Sequence, residues 1–220
     1  PESTIMPQLN LPRRQSGFTL IEIAIVLVII GLLLGGILKG QELINSARVK
    51  NLSTDFRNVP VFIYGYQDKF RALPGDDPAA VAHLGATAGQ AAVSQGNGVI
   101  DGAWNSTAAA DESYLFWQHV RLAGLAPGST TLGATDYVPL NAVGGRVGIQ
   151  SAKPFTTMSS GTWFICSAGI TGKFAKQLDA QLDDGDTNTG SMQAGTFASP
   201  AGAATDPLDD ATQYTVCMGV

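Results

Sequence analysis

Glu22 is the only charged residue between Phe18 and Leu38, and a carboxylate inside so apolar a run demands a chemical reason. A charged side chain in hydrocarbon costs about 2.5 kcal/mol or more, so one that is kept has a partner and a task. Other reactive side chains are few. His83 and His119 are the only histidines, and Cys166 and Cys217 are the only cysteines. His83 falls in an Ala-rich stretch where solvent exposure is expected, and His119 on a helical pattern where packing is expected. Neither stands with a serine motif, a cysteine or an acid at the spacing of a triad or a metal site. No phosphate loop or dinucleotide fingerprint occurs, so the chain does not read as an enzyme and calls for no organic cofactor. Asp183, Asp184 and Asp186 offer the hard oxygen donors that calcium takes, while Asp-Asp-Gly is also an ordinary solvent-exposed turn. Both readings of that cluster stay open here.

The elements that position these residues follow from hydrophobic pattern. From Phe18 to Leu38 run 21 residues with one charge, roughly 30 Å of helix and so the thickness of a bilayer core. Arg13 and Arg14 precede the run and Lys39 follows it, which orients the N-terminus to the cytoplasm and the rest of the chain outside. A secretory signal peptide shares basic residues followed by an apolar run. This run is longer than a typical signal core, and no small-x-small cleavage site closes it. Leu43, Ala47, Leu52, Phe56, Val59, Ile63, Tyr66, Phe70 and Leu73 then recur every three to five residues, a helical stripe. Pro60 is expected to kink this helix, and Leu73-Pro74-Gly75-Asp76 to stop it. Residues 18 to 72 thus read as one helix of about 80 Å.

Gly31, Gly35, Gly36 and Gly40 lie in the second half of the span and weaken it as helix. Their four-residue spacing permits close helix packing. Past residue 74 the chain is rich in Gly, Ala, Thr and Asp, with a helix expected over Asp111–Ala123 and a second over Gly172–Leu182. Strands are expected over Tyr137–Leu140, Arg146–Gln150, Gly161–Ile170 and Tyr214–Met218. The fold class is α+β: a long N-terminal helix, transmembrane in its first half, carrying a small antiparallel-sheet head. The divisions are residues 1–17, 18–38, 39–73 and 74–220. Thirteen basic against 18 acidic residues leave no basic patch for nucleic acid. Cys166 and Cys217 fall outside the membrane, where oxidation is permitted, and a disulfide between them is the economical reading.

Gly17-Phe18-Thr19-Leu20-Ile21-Glu22, with Arg13 and Arg14 before it and an apolar run after it, resembles the processing site of type IV prepilins and type II secretion pseudopilins. The resemblance implies that residues 1–17 are a leader, cut after Gly17 by a prepilin peptidase that methylates the new N-terminal Phe18. The cut also creates a partner for Glu22. The freed amine of Phe18 is cationic, and in an assembling filament the amine of one subunit can meet Glu22 of its neighbour and set the axial register. Family pilins often carry a proline about 21 residues past the cut, in a segment that melts on assembly. Lys39 stands there instead, and the four glycines are expected to supply the melting. GNGVIDG, DESYLFWQHVRLAGL and LDAQLDDGDTNTGSMQ resemble the head of a subgroup of prepilin-like proteins in which LPGD follows the long helix.

The resemblance implies a structural subunit that homopolymerises, with other pilins, into a type IV pilus for adhesion, motility or DNA uptake. Alternatives are a pseudopilin of a periplasmic pseudopilus and a minor tip or ligand-binding subunit. Its partners would be the prepilin peptidase, an inner-membrane platform protein, an assembly ATPase and, before assembly, membrane lipid. The precursor would sit in the bacterial inner membrane with its head in the periplasm, and the product in an extracellular or periplasmic filament.

Overall fold

Apolar residues three or four apart wind the chain into α1, Leu20–Phe70, in a computed structural model that describes residues 17–91, 95–197 and 202–220. Residues 1–16 of the expected leader, with Arg13 and Arg14, lie outside the described residues. The chain divides into two compact units, Pro1–Ile44 and Asn45–Val220. The amphipathic half of α1 therefore belongs to the head from Asn45 onward, because its stripe is core. Val49, Leu52, Phe56, Val59, Ile63 and Tyr66 are all buried, and each such side chain contributes about 1.5–3 kcal/mol relative to exposure. Pro60 is contained within α1. The helix ends at Phe70 rather than residue 72 because Arg71 turns left-handed, at φ 57. Gly75 follows at φ 93, where a Cβ would stand 2.4 Å from the carbonyl oxygen of Glu112. Only glycine lets this corner close.

Beyond the corner come α2 (Ala80–Leu84), α3 (Glu112–Leu122), β1 (Val147–Gln150), β2 (Phe164–Thr171), α4 (Gly172–Leu182), β3 (Met192–Gly195) and β4 (Gln213–Gly219). The strands form one antiparallel sheet in the order β1-β2-β4-β3. Side chains alternate across it. Ile165, Ile170, Val216, Met192 and Ala194 join the stripe of α1 together with Phe116 and Val120 of α3 and Leu178 of α4. Phe164, Cys166 and Cys217 instead meet Trp104, Phe155 and Met158 in a second apolar cluster. Burial on both faces explains why Trp163-Phe164-Ile165-Cys166 shows no polar alternation.

The expected strand over Tyr137–Leu140 does not form. Tyr137 is buried and tied to α3, its hydroxyl donating to the Tyr114 carbonyl (2.7 Å) and accepting from the Gln118 N–H (3.0 Å). Only Leu140 makes a bridge, to Arg146. Two elements had no expectation. Helix α2 is a single short turn. Strand β3, Met-Gln-Ala-Gly, lacks the β-branched residues that mark a strand and is held by pairing with β4.

Cys166 and Cys217 face each other across β2 and β4 and form a disulfide, with their Cα atoms 4.1 Å apart and 51 positions apart in sequence. Closing a loop of that length stabilises by about 4 kcal/mol in the chain-entropy account. Reduction is expected to lower the unfolding midpoint and to admit two alkyl groups by mass. Alkylation without reductant, or an unchanged midpoint after it, would contradict that contribution.

Candidate processing and assembly site

The junction Gly17-Phe18 lies just ahead of α1, and the Phe18 side chain is 85% exposed. Thr19 directly precedes the helix. Its backbone N–H donates to Glu22 Oε2 (2.8 Å), its hydroxyl donates to the same oxygen (2.7 Å), and the Glu22 N–H returns a bond to Thr19 Oγ1 (3.3 Å). This is a capping box, in which a Thr and a Glu three residues later satisfy donors that the first helical turn leaves open. The Thr19-x-x-Glu22 spacing is the sequence signal of this box. While Phe18 remains bonded to Gly17 it has no free amine, and Thr19 is the partner the carboxylate finds. Both bonds from Thr19 fall on Oε2.

Among the described residues, the apolar side chains after Glu22 have no partner in their own unit. Ile25, Leu27, Val28, Leu32 and Leu38 are all exposed, and among the described residues α1 is the one helix long and apolar enough to cross a membrane. Gly31, Gly35, Gly36 and Gly40 all lie within α1. A Cβ added at any of the four would meet nothing within 4 Å. The packing of this single chain does not require them.

In the head, the structure gathers a different acid set from the one expected. Carboxylate oxygens of Asp179, Asp183 and Asp184 lie within 4.8 Å of one another; Asp186 is outside the set, its Oδ1 accepting from the Asn188 N–H (3.1 Å). Asp179 sits in the last turn of α4 and reaches back toward the loop, a proximity that residue spacing alone did not suggest. Asp183 accepts from the Ser191 hydroxyl (3.0 Å) and the Met192 N–H (2.8 Å). Asp184 accepts from the Asp186 N–H (2.9 Å) and the Thr189 hydroxyl (2.8 Å). Those bonds order the turn. Asp179 is different: it is fully buried, Oδ1 takes the Gly185 N–H (3.0 Å), and Oδ2 has no donor. Burial pushes its pKa up to about 6, and the charges of Asp184, Asp183 and Asp186 add to the shift. An orphaned buried oxygen among carboxylates fits a hard cation.

The histidines are separate. His119 is buried in α3, where Nδ1 accepts from the Gly75 N–H (2.9 Å) and Nε2 therefore donates to the Gly89 carbonyl (2.8 Å). Burial holds its pKa down, so it is a neutral structural link, as packing predicted. The His83 residue is exposed as expected, yet its ring stacks on Phe70 at 5.0 Å and Nδ1 lies 2.7 Å from Asp77 Oδ2. That oxygen also accepts from the Tyr66 hydroxyl (2.7 Å). Burial opposes ionisation of Asp77, but these bonds outweigh it and hold the pKa low. The backbone N–H groups of Gly96, Asn97 and Gly98 turn inward onto the Asp76 carboxylate.

Residues 12–38 match the family described as the prokaryotic N-terminal methylation motif. That motif is the hallmark of type IV prepilins and pseudopilins. Comparison with curated proteins and with solved structures finds no match. The motif brings Gly17, Phe18 and Glu22 within one matched segment, and it implies processing by a prepilin peptidase and assembly with other pilins. Gly17→Ala is expected to leave most of the chain at precursor mass. Normal processing of this variant would move the cut elsewhere.

Proposed function

We propose that this chain is a structural subunit of a type IV pilus, polymerising through the apolar half of α1 after cleavage at Gly17-Phe18 and N-methylation of Phe18. The observation that carries the reading is Glu22, a lone carboxylate four residues past Phe18 in a helix half whose apolar side chains are unpartnered among the described residues. Before the cut, Thr19 holds Oε2. After it, the amine of a neighbouring subunit can approach Oε1, and the exposed apolar residues leave lipid for one another in the filament. A tip subunit has no subunit ahead of it and could dispense with the acid, so Glu22 favours a polymerising role. In the filament, Gly31, Gly35, Gly36 and Gly40 serve close packing and local melting. An inner-membrane platform protein and a cytoplasmic ATPase extract the processed subunit, whose head faces the periplasm.

Glu22→Ala is expected to be cut and membrane-inserted but to give at least about tenfold fewer sheared filaments, a conservative bound when breaking a buried ion pair costs about 3–5 kcal/mol. Wild-type yield would overturn the pairing. A chain missing from sheared surface filaments yet required for exoprotein release would instead assign it to a pseudopilus.

Asp179, Asp183 and Asp184 are proposed to hold calcium at the end of α4, the reading favoured by the orphaned Asp179 Oδ2. Calcium is expected to raise the unfolding midpoint of the wild-type chain and not that of Asp179→Asn. A midpoint indifferent to calcium and chelator would leave the cluster as a turn.

A further inference from the structure

The end of α1, the corner after it and the Gly96–Gly98 turn border a cavity of about 470 Å³, with Gln67, Phe70, Arg71, His83 and Trp163 among its walls. That is the size of a small-molecule site. The rings of Phe70 and His83 stack at 5.0 Å, and Trp163 stands edge-on to Tyr64 at 6.5 Å, so the aromatic walls are braced. Arg71 is exposed and takes φ 57, uncommon for residues other than glycine, asparagine and aspartate. Glycine would sit there without strain, so an arginine calls for a use of its side chain. The guanidinium makes no hydrogen bond or ion pair with a described residue.

The acids of this cavity are already engaged. Asp76 accepts from the N–H groups of Gly96, Asn97 and Gly98. Asp77 Oδ1 takes the Ala79 N–H (2.8 Å), while Oδ2 takes the Tyr66 hydroxyl (2.7 Å) and His83 Nδ1 (2.7 Å). A carboxylate only accepts, so Nδ1 donates and Nε2 is the ring nitrogen left without a described partner. The Arg71 guanidinium and the Gln67 amide are unused as well, and the Trp163 Nε1–H, buried in the wall, lacks an acceptor. The backbone has little to add. From Gly96 to Asp101 every N–H bonds within the chain, and the Trp163 N–H goes to the Val220 carbonyl (3.2 Å). An extended peptide therefore finds no strand edge to pair with.

Charge narrows the ligand further. A cation entering would meet the Arg71 guanidinium, and an anion would meet Asp76, Asp77 and the carbonyl end of α1. Gly98 also lines an adjoining cavity of about 580 Å³, whose one acid and one base are Asp101 and Lys153. Neither sign of charge is favoured along the two. A neutral, hydroxyl-rich ligand suits these walls: its oxygens accept from guanidinium and amide, its hydroxyl protons can go to Nε2, and its C–H faces lie against aromatic rings. We propose that this cleft binds a neutral oligosaccharide, with Arg71, Gln67 and His83 holding its hydroxyls and Phe70, His83 and Trp163 forming the apolar walls. All these residues belong to the Asn45–Val220 unit, so binding does not depend on Glu22 or on assembly.

The test uses the full-length chain in a detergent without a sugar head-group, titrated with maltose, lactose, cellobiose and N,N′-diacetylchitobiose and followed by tryptophan fluorescence and saturation-transfer NMR. At least one probe is expected to bind with a Kd of about 1 mM or tighter. Arg71→Gly keeps the left-handed turn without strain, so its unfolding midpoint should stay near that of wild type while affinity falls about tenfold or more. Gln67→Ala should weaken the same probe. Failure of every probe to saturate the chain at millimolar concentration would overturn the site, and so would an Arg71→Gly chain that binds like wild type. Citrate or an oligolysine peptide binding in an Arg71-dependent way, where the sugars do not, would overturn the neutral ligand.

Discussion

Burial of one helical stripe, Val49 to Tyr66, is the constraint on which the head depends. These side chains recur at the helical period, so a single α1 surface presents them together. The sheet, α3 and α4 supply the other side of that core. The same helix, before Asn45, carries apolar residues that no described residue of its own unit covers. A chain built this way has one half of α1 satisfied by its own fold and another half whose apolar surface requires lipid or other subunits.

Within that unpartnered half the chemistry is concentrated at its first turn. A helix start leaves backbone N–H groups open, and Thr19 with Glu22 closes them in the uncut chain. The carboxylate thus has a local role in the uncut chain, apart from the intersubunit one proposed for it. Cleavage after Gly17 would free a cationic amine at Phe18, beside this turn. Under the proposed function, that covalent event turns a capping residue into an ionic partner.

The head uses acidic side chains differently. Much of it is Gly- and Asp-rich loop with few backbone ladders, and carboxylates take up the stray N–H groups. Asp76 gathers the Gly96–Gly98 turn, Asp183 and Asp184 order the loop after α4, and Asp209 Oδ1 accepts from the N–H groups of Ala211 and Thr212. This is local side-chain bonding in place of secondary structure. It explains how a chain with a net charge of −5 places acids inside the head. Where donors run short, at Glu112 and Asp179, the carboxyl pKa rises instead.

What the sequence determined by itself is whatever depends on neighbours a few residues apart. The apolar run after Phe18, the stripe into the head, the methylation motif, α3, α4 and three of the four strands were legible because period, caps and apolar runs are local signals. The Cys166–Cys217 pairing was legible because only two cysteines exist. Tertiary structure alone decided the rest. It denied Tyr137–Leu140 a strand by engaging Tyr137 with α3, and it made a strand of Met192–Gly195 through β4. It also replaced Asp186 by Asp179 in the acid cluster and set the Gly75 corner against the Glu112 carbonyl. Those outcomes rest on contacts between distant segments, and a buried carboxyl's protonation depends on the donors and charges that folding brings to it.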